Sequence, residues 1–281
     1  MISMNHINIL KYYDTIDLTD CLYIIMEYCE GDLSEILIKK PIKYDIVKYY
    51  FKQIISALKF LNENKIIHRD IKPKNILFTE DKKILKLSDF GFAKQINGLK
   101  KSNTMCGSPL YMAPEIFAKN GYTESVDMWS LGLILFEMIY GYHPLDKYKD
   151  IETISESIIN TDIHIQTTDK ITDDCIDLLK KLLNKNPIDR INMKDMLNHK
   201  WLDETIGVTY DELFYNLKKM SIYDNYLFIN IDNLNSPNNS SDSSNSSNSL
   251  NSSNGSDSYN YNKNTSSAKT INSDDFIFIF E

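Results

Sequence analysis

Residues 68–75 bring a carboxylate, an ammonium group and an amide close together, in the order His-Arg-Asp-Ile-Lys-Pro-Lys-Asn. Asp70 can orient an attacking hydroxyl group and accept its proton, and Lys72 can steady a negatively charged group during transfer. Asn75 and, further along the chain, Asp89 supply the amide and carboxylate oxygens that Mg²⁺ prefers as ligands. These residue types suit phosphoryl transfer, which depends on positioning and charge neutralisation more than on covalent help from the protein.

Three short motifs follow one another in a fixed order: His-Arg-Asp at 68–70, Asp-Phe-Gly at 89–91 and Ala-Pro-Glu at 113–115. Any one of them alone could be an ordinary loop turn or helix cap, but the ordered set resembles the protein kinase family. The resemblance covers about residues 5–203. It implies an α+β, protein-kinase-like fold with a mainly helical C-terminal lobe and an incomplete N-terminal lobe. It also implies ATP and Mg²⁺ as cofactors and proteins as substrates, and Lys72 is typical of the serine/threonine-specific members.

The resemblance extends to the residues that would bind the nucleotide. Met26 resembles the gatekeeper at the back of the adenine pocket, and the backbones of Glu27 and Cys29 would then hydrogen-bond adenine. Asp32 would reach the ribose, although the segment leading to it is a residue shorter than in many kinases. Leu77 would form the floor under the adenine ring.

The resemblance to protein kinases also assigns structural roles to several further residues. Glu115 and Arg190 resemble the buried ion pair that ties the activation segment to the helical lobe. Asp127 resembles the residue at a helix start that holds the catalytic loop, a role compatible with an ordinary helix cap. Ser108 would lie beside the catalytic residues and help to shape the substrate site.

The segment 91–113 resembles a kinase activation segment. Arg69 and Lys94 could bind a phosphate group there and so order the loop. Thr104 is the first candidate for phosphorylation and Ser102 the second; the alternative is that both are plain loop hydroxyls.

Residues 104–115, and less specifically 89–94, resemble the autophagy-initiating kinases. The terminal segment 274–279 resembles the short motif through which autophagy proteins bind their ubiquitin-like modifier. Phe276 and Ile279 would fill two pockets while the segment adds a strand to the edge of the modifier's sheet. A sticky terminus, or a strand that packs on the kinase lobe, is the open alternative.

Apolar periodicity indicates the elements that must position these residues. Leu22–Met26 reads as a buried strand, and the spacing of apolar residues over 45–64 predicts an amphipathic helix. Further helices are predicted at Ser125–Tyr140, 151–159, 173–183 and Met193–Leu197. The sequence therefore predicts a kinase domain over 1–203, a C-terminal extension over 204–234, a disordered Ser/Asn-rich linker over 235–273 and a terminal apolar motif over 274–281.

Composition excludes several classes of function. The net charge of −8, with Lys and Arg spread along the 281 residues, argues against a nucleic-acid-binding stripe. The four cysteines are far apart and form no metal-ligand spacing, which favours reduced thiols in an intracellular, cytoplasmic protein. The longest apolar run, 131–140, is too short to span a bilayer and contains Glu137.

The Gly-rich loop, strand lysine and helix glutamate with which kinases hold the ATP phosphates are not found in these 281 residues. Residues 6–9 resemble the turn that follows the glutamate-bearing helix. We therefore expect weaker and slower use of Mg·ATP, and a strand at 23–26 whose edge and apolar surface are exposed for want of sheet neighbours. A start site upstream of Met1, a decayed gene and a pseudokinase are the three open explanations.

A serine/threonine protein kinase is the favoured function, because the residues proposed for chemistry are all present. The alternative is a catalytically weak or inactive pseudokinase that works as an interaction scaffold. A module that only binds nucleotide is a more distant third. The sequence alone does not identify the protein substrate or the upstream activator.

Overall fold

The computed structural model describes residues 4–18, 22–37, 41–79, 82–95, 102, 104–119, 121–168 and 171–203, together with the backbone of 277–280. The strands are β1 (Tyr12–Asp17), β2 (Leu22–Met26), β3 (Gly31–Asp32), β4 (Ile66–Ile67), β5 (Ile76–Phe78), β6 (Leu85–Leu87), β7 (Lys94–Gln95) and β8 (Ile277–Phe280). The helices are α1 (Leu33–Ile36), α2 (Tyr44–Glu63), α3 (Pro114–Phe117), α4 (Ser125–Tyr140), α5 (Ile151–Asn160), α6 (Asp173–Leu182), α7 (Met193–Leu197) and α8 (Lys200–Asp203). The α+β, kinase-like fold that the resemblance implies is confirmed.

The first sheet has the strand order β1-β2-β8. β2 pairs antiparallel with β1 on one side, where Ile16 lies opposite Tyr23, and with β8 on the other, where Ile279 lies opposite Tyr23. The prediction that this strand lacks sheet neighbours is therefore wrong, because the C-terminal segment, far away in sequence, lies beside it. Apolar side chains of this region are nevertheless exposed, namely Tyr13, Ile16, Leu18 and Leu22.

Two smaller sheets frame the segment that carries the catalytic candidates. One has the order β3-β5-β6, and the other pairs β4 with β7. Residues 68–75 run from the end of β4 to the start of β5, and residues 88–93 run from the end of β6 to β7. Because β4 and β7 pair with each other, the two polar loops are brought side by side.

Helices α2 and α4 form the centre of the helical part. α2 buries one face, as its amphipathic pattern predicts, whereas residues 126–139 of α4 are buried on all sides. Gly132 allows α4 to pack closely on the end of α6, since a Cβ at this position would lie only 2.9 Å from side-chain atoms of Leu182 and Leu183. Among the described helices, none combines the length and apolar character that a membrane crossing requires.

Candidate active site

Asp127 fixes the start of the loop that carries the catalytic candidates. It lies in the first turn of α4 and is buried. Its Oδ2 accepts a hydrogen bond from the backbone N–H of His68 at 2.8 Å, and its Oδ1 accepts one from the N–H of Arg69 at 2.9 Å. Burial raises the pKa of Asp127 to about 6, and the two hydrogen bonds oppose that rise because they favour the ionised carboxylate.

Asp70 lies at the centre of a hydrogen-bonded network. Its Oδ2 is 2.7 Å from Nζ of Lys72 and accepts a hydrogen bond from Nδ2 of Asn75 at 3.0 Å. Its Oδ1 accepts the backbone N–H of Ser108 at 2.8 Å, and Lys72 also donates to Oγ of Ser108 at 2.9 Å. The structure therefore brings together the predicted base, the predicted phosphate-side cation, one predicted metal ligand and the predicted substrate-site serine.

The ionisation of Asp70 follows from these contacts. Burial raises its pKa, but the hydrogen bonds from Lys72 and Ser108 outweigh burial and hold the pKa below the ordinary value for aspartate. Asp70 is therefore ionised at neutral pH. Its carboxylate can orient a hydroxyl group and accept its proton.

Gly107 makes the contact between Ser108 and Asp70 possible, and sequence reasoning did not single it out. Its φ of +104° is a conformation that side chains rarely adopt, and a Cβ at this position would overlap the carbonyl oxygen of Arg69. The backbone of the activation segment can approach the catalytic loop this closely only with glycine at this position. The one available sequence signal was the Gly-Ser pair at 107–108.

The two predicted metal ligands are joined through Ser88. Its backbone N–H donates to the carbonyl oxygen of Asn75 at 2.9 Å, so the residue before Asp89 is tied to the catalytic loop. Nδ2 of Asn75 is used by Asp70, which leaves Oδ1 as the amide atom for a cation. Asp89 is exposed and has a left-handed φ of 59°. One carboxylate and one amide oxygen fit Mg²⁺ when nucleotide phosphates and water complete its coordination.

His68 links the same two loops from the interior. Its Nε2 lies 2.9 Å from the carbonyl oxygen of Ser88, and its ring packs edge-on against Phe90 at a centroid distance of 4.9 Å. Burial lowers the pKa of His68 to about 4, so the ring is neutral at physiological pH. Its role is to position the loops, and sequence reasoning gave it none.

The predicted adenine-binding residues follow directly after β2. The backbone N–H of Glu27 donates to the carbonyl oxygen of Lys11 at 2.8 Å. Over the described ranges, the carbonyl oxygen of Glu27 and the N–H of Cys29 have no protein hydrogen-bond partner, so both can meet a ligand. Met26, the predicted gatekeeper, lies at the end of β2 and is half-buried. Leu77 is half-buried between two buried neighbours and therefore faces away from the core.

Asp32 has a structural use in addition to the predicted ribose contact. It is the N-cap of α1, and its Oδ1 accepts hydrogen bonds from the backbone N–H of Ser34, at 2.8 Å, and from the hydroxyl of the same residue. This contact fixes the first turn after the adenine-binding segment. The ribose contact of Asp32 stays a prediction.

The predicted phosphate-binding cations converge on Ser102. Nη1 of Arg69 and Nζ of Lys94 each lie 3.4 Å from its Oγ, and Ser102 is buried. Thr104 is exposed, and its carbonyl oxygen accepts a hydrogen bond from the hydroxyl of Tyr122 at 2.6 Å. Tyr122, which also lies 3.3 Å from Nη1 of Arg69, was missed by sequence reasoning.

Glu115 and Arg190 form a bidentate ion pair, with Nη1–Oε1 and Nη2–Oε2 distances of 2.6 and 2.9 Å. Both residues are buried. Arg190 also donates to the carbonyl oxygens of Asn184 and Ser125, so its charge is compensated from several sides. This arrangement joins α3, at the end of the activation segment, to the start of α4 and to the segment after α6.

A cavity of about 740 Å³ opens beside Lys72 and Ser108. Tyr111 and Glu137 line it, and the tyrosine hydroxyl donates to Oε1 of Glu137 at 2.6 Å. Burial raises the pKa of Glu137 to about 7. The cavity is open and adjoins the catalytic loop, so a polypeptide could lie in it. Nothing in the sequence pattern pointed to this pairing.

Comparisons with known proteins agree with this geometry. A family model described as "Protein kinase domain" matches residues 1–202. Serine/threonine-protein kinase ATG1a of Arabidopsis thaliana is 36% identical over 208 residues, which are 72% of this chain and 33% of that protein. Serine/threonine-protein kinase atg1 of Dictyostelium discoideum is 41% identical over 207 residues, which are 71% of this chain and 30% of that protein. Serine/threonine-protein kinase ULK3 of Mus musculus is 38% identical over 187 residues, which are 66% of this chain and 40% of that protein. The chain thus spans about a third of the length of the curated relatives it matches.

Proposed function

The chain belongs to the protein kinase family, and on this basis we propose that it transfers the γ-phosphoryl group of ATP to serine or threonine hydroxyl groups of proteins. The network around Asp70 supports this most strongly, since ammonium, amide and backbone N–H groups all meet one carboxylate there. The serine/threonine-specific names of the relatives support the choice of acceptor, in agreement with Lys72. Those relatives are about three times as long as the matched segment, so their similarity covers only part of each protein. The activity, substrates and partners of the whole protein are therefore part of what we propose.

Asp70 acts as the base in this proposal. Its bonds to Lys72, Asn75 and Ser108 hold the carboxylate in one orientation. Oδ2 already accepts two of these bonds, whereas Oδ1 accepts one and has a further lone pair for the substrate hydroxyl. Lys72 uses two of its three N–H groups on Asp70 and Ser108, which leaves the third for a phosphoryl oxygen. Asp70 and Lys72, which are 2.7 Å apart, would thereby bind the hydroxyl and the phosphoryl group close to each other.

The nucleotide would lie with its adenine against the backbone of Glu27 and Cys29 and above Leu77. Asn75 and Asp89 would hold the metal. Magnesium bound there neutralises charge on the phosphoryl oxygens during transfer. We further propose that residues 1–203 form the kinase domain of a cytoplasmic protein, and that the divisions predicted after residue 203 hold; 204–276 lie outside the described residues.

The acceptor residue tests the proposal. Purified protein is incubated with Mg·ATP and a mixture of denatured proteins, and new phosphosites are mapped by mass spectrometry. We expect phosphoserine and phosphothreonine, and no new sites when Mg²⁺ is chelated. Phosphotyrosine as the main product would contradict the proposed specificity. Partner binding without any transfer would favour the scaffold alternative.

Phosphorylation of the activation segment is expected to raise the activity. Thr104 is exposed and open to an activating kinase, and Arg69 and Lys94 lie close by at Ser102. A phosphate at Thr104 would add charge-assisted hydrogen bonds to these cations and order the segment. We therefore expect Thr104→Ala to lower the activity of protein isolated from its native host roughly tenfold.

Phosphopeptide mapping and activity before and after phosphatase treatment provide the measurement. Ser102→Ala is the matched control, and it should leave phosphatase-sensitive activation in place. If Ser102→Ala removes the activation and Thr104→Ala does not, Ser102 is the phosphorylated residue.

We also propose that residues 274–279 bind a ubiquitin-like autophagy modifier. Phe276 lies outside the described residues. Ile279 belongs to β8, whose backbone pairs with β2 as the alternative of a strand packed on the kinase lobe describes, so the modifier would have to replace β2 as the partner of this strand. Replacing both Phe276 and Ile279 by Ala should abolish binding in a pull-down with the purified modifier, because both pockets are emptied. Phe278→Ala, at the alternate position of the strand, is the control and should still bind. Unchanged binding by the double variant would contradict the proposal.

A further inference from the structure

Lys86 is a buried lysine with an unusual set of partners. It lies in the middle of β6 between two buried leucines, and it is only 8% exposed. Lysine is almost never buried to this degree unless its charge is paired. Its Nζ lies 2.8 Å from Oε1 of Glu27 and donates to the carbonyl oxygen of Ile7 at 3.0 Å. One ammonium group therefore connects three separate segments of the chain.

Both carboxylate oxygens and the backbone N–H of Glu27 have partners in the protein. Its Oε1 meets Lys86, its Oε2 accepts the backbone N–H of Lys11 at 3.1 Å, and its own N–H donates to the carbonyl oxygen of Lys11 at 2.8 Å. Its carbonyl oxygen, the proposed adenine contact, has no protein hydrogen-bond partner among the described residues. The residue that carries that oxygen is thus tied to the ammonium group of Lys86.

The other end of the connection leads to the metal site. β6 continues into Ser88, which is bonded to Asn75, and then into Asp89. Leu87 is bonded on both of its backbone polar atoms to the segment that also contacts Lys86, through Asn8 and Leu10 at 2.9 Å each. Within the same hairpin, Lys86 lies opposite Leu77, the predicted adenine floor.

We propose that Lys86 is a positioning residue that holds the adenine-binding backbone at Glu27 and the metal-binding strand before Asp89 in one fixed relation. The benefit of this arrangement for nucleotide binding rests on the proposed kinase function. The coupling of Glu27 to β6 through Lys86 does not, because it is a property of the protein without ligand. Lys86 contacts neither nucleotide nor substrate; it acts through Glu27 and β6. The rival account is an ion pair that only contributes to global stability.

Hydrogen exchange of the full chain without ligand tests the coupling. Lys86→Met keeps the length of the side chain and removes the charge. We expect exchange to become about tenfold faster both in peptides covering 22–28 and in peptides covering 84–89, as local opening no longer breaks a charge-assisted bond. Lys59→Met, which breaks the exposed ion pair with Glu63, is the control and should change neither region.

Several outcomes would overturn the proposal. Faster exchange in only one of the two regions, or in neither, would show that Lys86 does not couple them. If protection against exchange is lost in α4 as much as in these two regions, the ion pair only contributes to global stability. If Lys86→Met does not fold, Glu27→Gln removes the charge from the other side of the pair, and the same comparison applies.

Binding of adenosine and of Mg·ATP separates this proposal from the proposed function. We expect Lys86→Met to weaken adenosine binding about tenfold, and Lys86→Met with Glu27→Gln to weaken it no further, because both changes break one link. If the unaltered protein binds adenosine and Lys86→Met binds it equally well, the positioning role is refuted. If the unaltered protein binds no nucleotide although the exchange coupling is present, the proposed function fails and the coupling stands.

Discussion

Replacing Asp70 by Asn should lower the rate of phosphoryl transfer by roughly 10²–10⁴-fold, the usual contribution of a positioned general base. Asparagine keeps the shape of the side chain but cannot accept the proton of the substrate hydroxyl. It also loses the ion pair with Lys72 at 2.7 Å and would turn an amide N–H₂ group toward donors on Asn75, Lys72 or Ser108. The initial rate with saturating Mg·ATP is the measurement.

The control for this variant is Asp162→Asn, since the Asp162 side chain is 95% exposed and lies outside the site. It should leave the rate unchanged. Because Asp70 contacts no part of the proposed adenine site, Asp70→Asn should also bind adenosine as the unaltered protein does. A rate within a factor of two of the unaltered protein would refute the assignment of Asp70 as the base.

Replacing Arg190 by Met should lower the free energy of unfolding by roughly 3–5 kcal/mol, because it leaves the buried carboxylate of Glu115 without its compensating charge. The effect should be large, since both oxygens of Glu115 are bonded to Arg190 at 2.6 and 2.9 Å. The measurement is urea unfolding followed by circular dichroism. The dependence of the free energy of unfolding on urea concentration should have the same slope in the variant and in the unaltered protein.

Lys181→Met is the matched control. This variant breaks the ion pair between Lys181 and Asp177, in which both side chains are about half exposed. It should lower the free energy of unfolding by roughly 0.3–0.5 kcal/mol. The double variant Glu115→Leu with Arg190→Met should be more stable than Arg190→Met alone, because no unpaired charge is left. Equal stability of Arg190→Met and Lys181→Met would contradict the account of the buried pair.

Most helices could be predicted because their apolar residues repeat at helical spacing. Ser125–Tyr140 and Met193–Leu197 have the predicted bounds, and α2 differs by a single residue at each end. β1 was missed because Tyr12–Asp17 is almost entirely exposed and shows no apolar pattern. A strand packed on the kinase lobe was an open alternative for the terminal segment, but its pairing with β2 could not be predicted, because no local pattern indicates which distant segment completes a sheet.

The site could be predicted where its residues are neighbours in sequence, or where the resemblance to protein kinases relates distant positions, as for Ser108 and for Glu115 with Arg190. Asp70, Lys72 and Asn75 lie within one loop, so their types and spacing were sufficient to place them together. The roles of Gly107, Tyr122 and Lys86 could not be predicted, because each depends on the approach of segments far apart in the chain. The same reason applies to Ser102: its distance from the two cations is set by the path of the activation segment, which residue types alone do not determine.

The central claim is that Asp70, Lys72, Asn75 and Asp89 form a working site for phosphoryl transfer. The most direct test is the initial rate of label transfer from γ-labelled ATP to protein serine and threonine, with protein purified from its native host. We expect transfer that requires Mg²⁺ and is lost in Asp70→Asn prepared in the same way. Transfer that Asp70→Asn retains in full, or none from the unaltered protein, would contradict the claim.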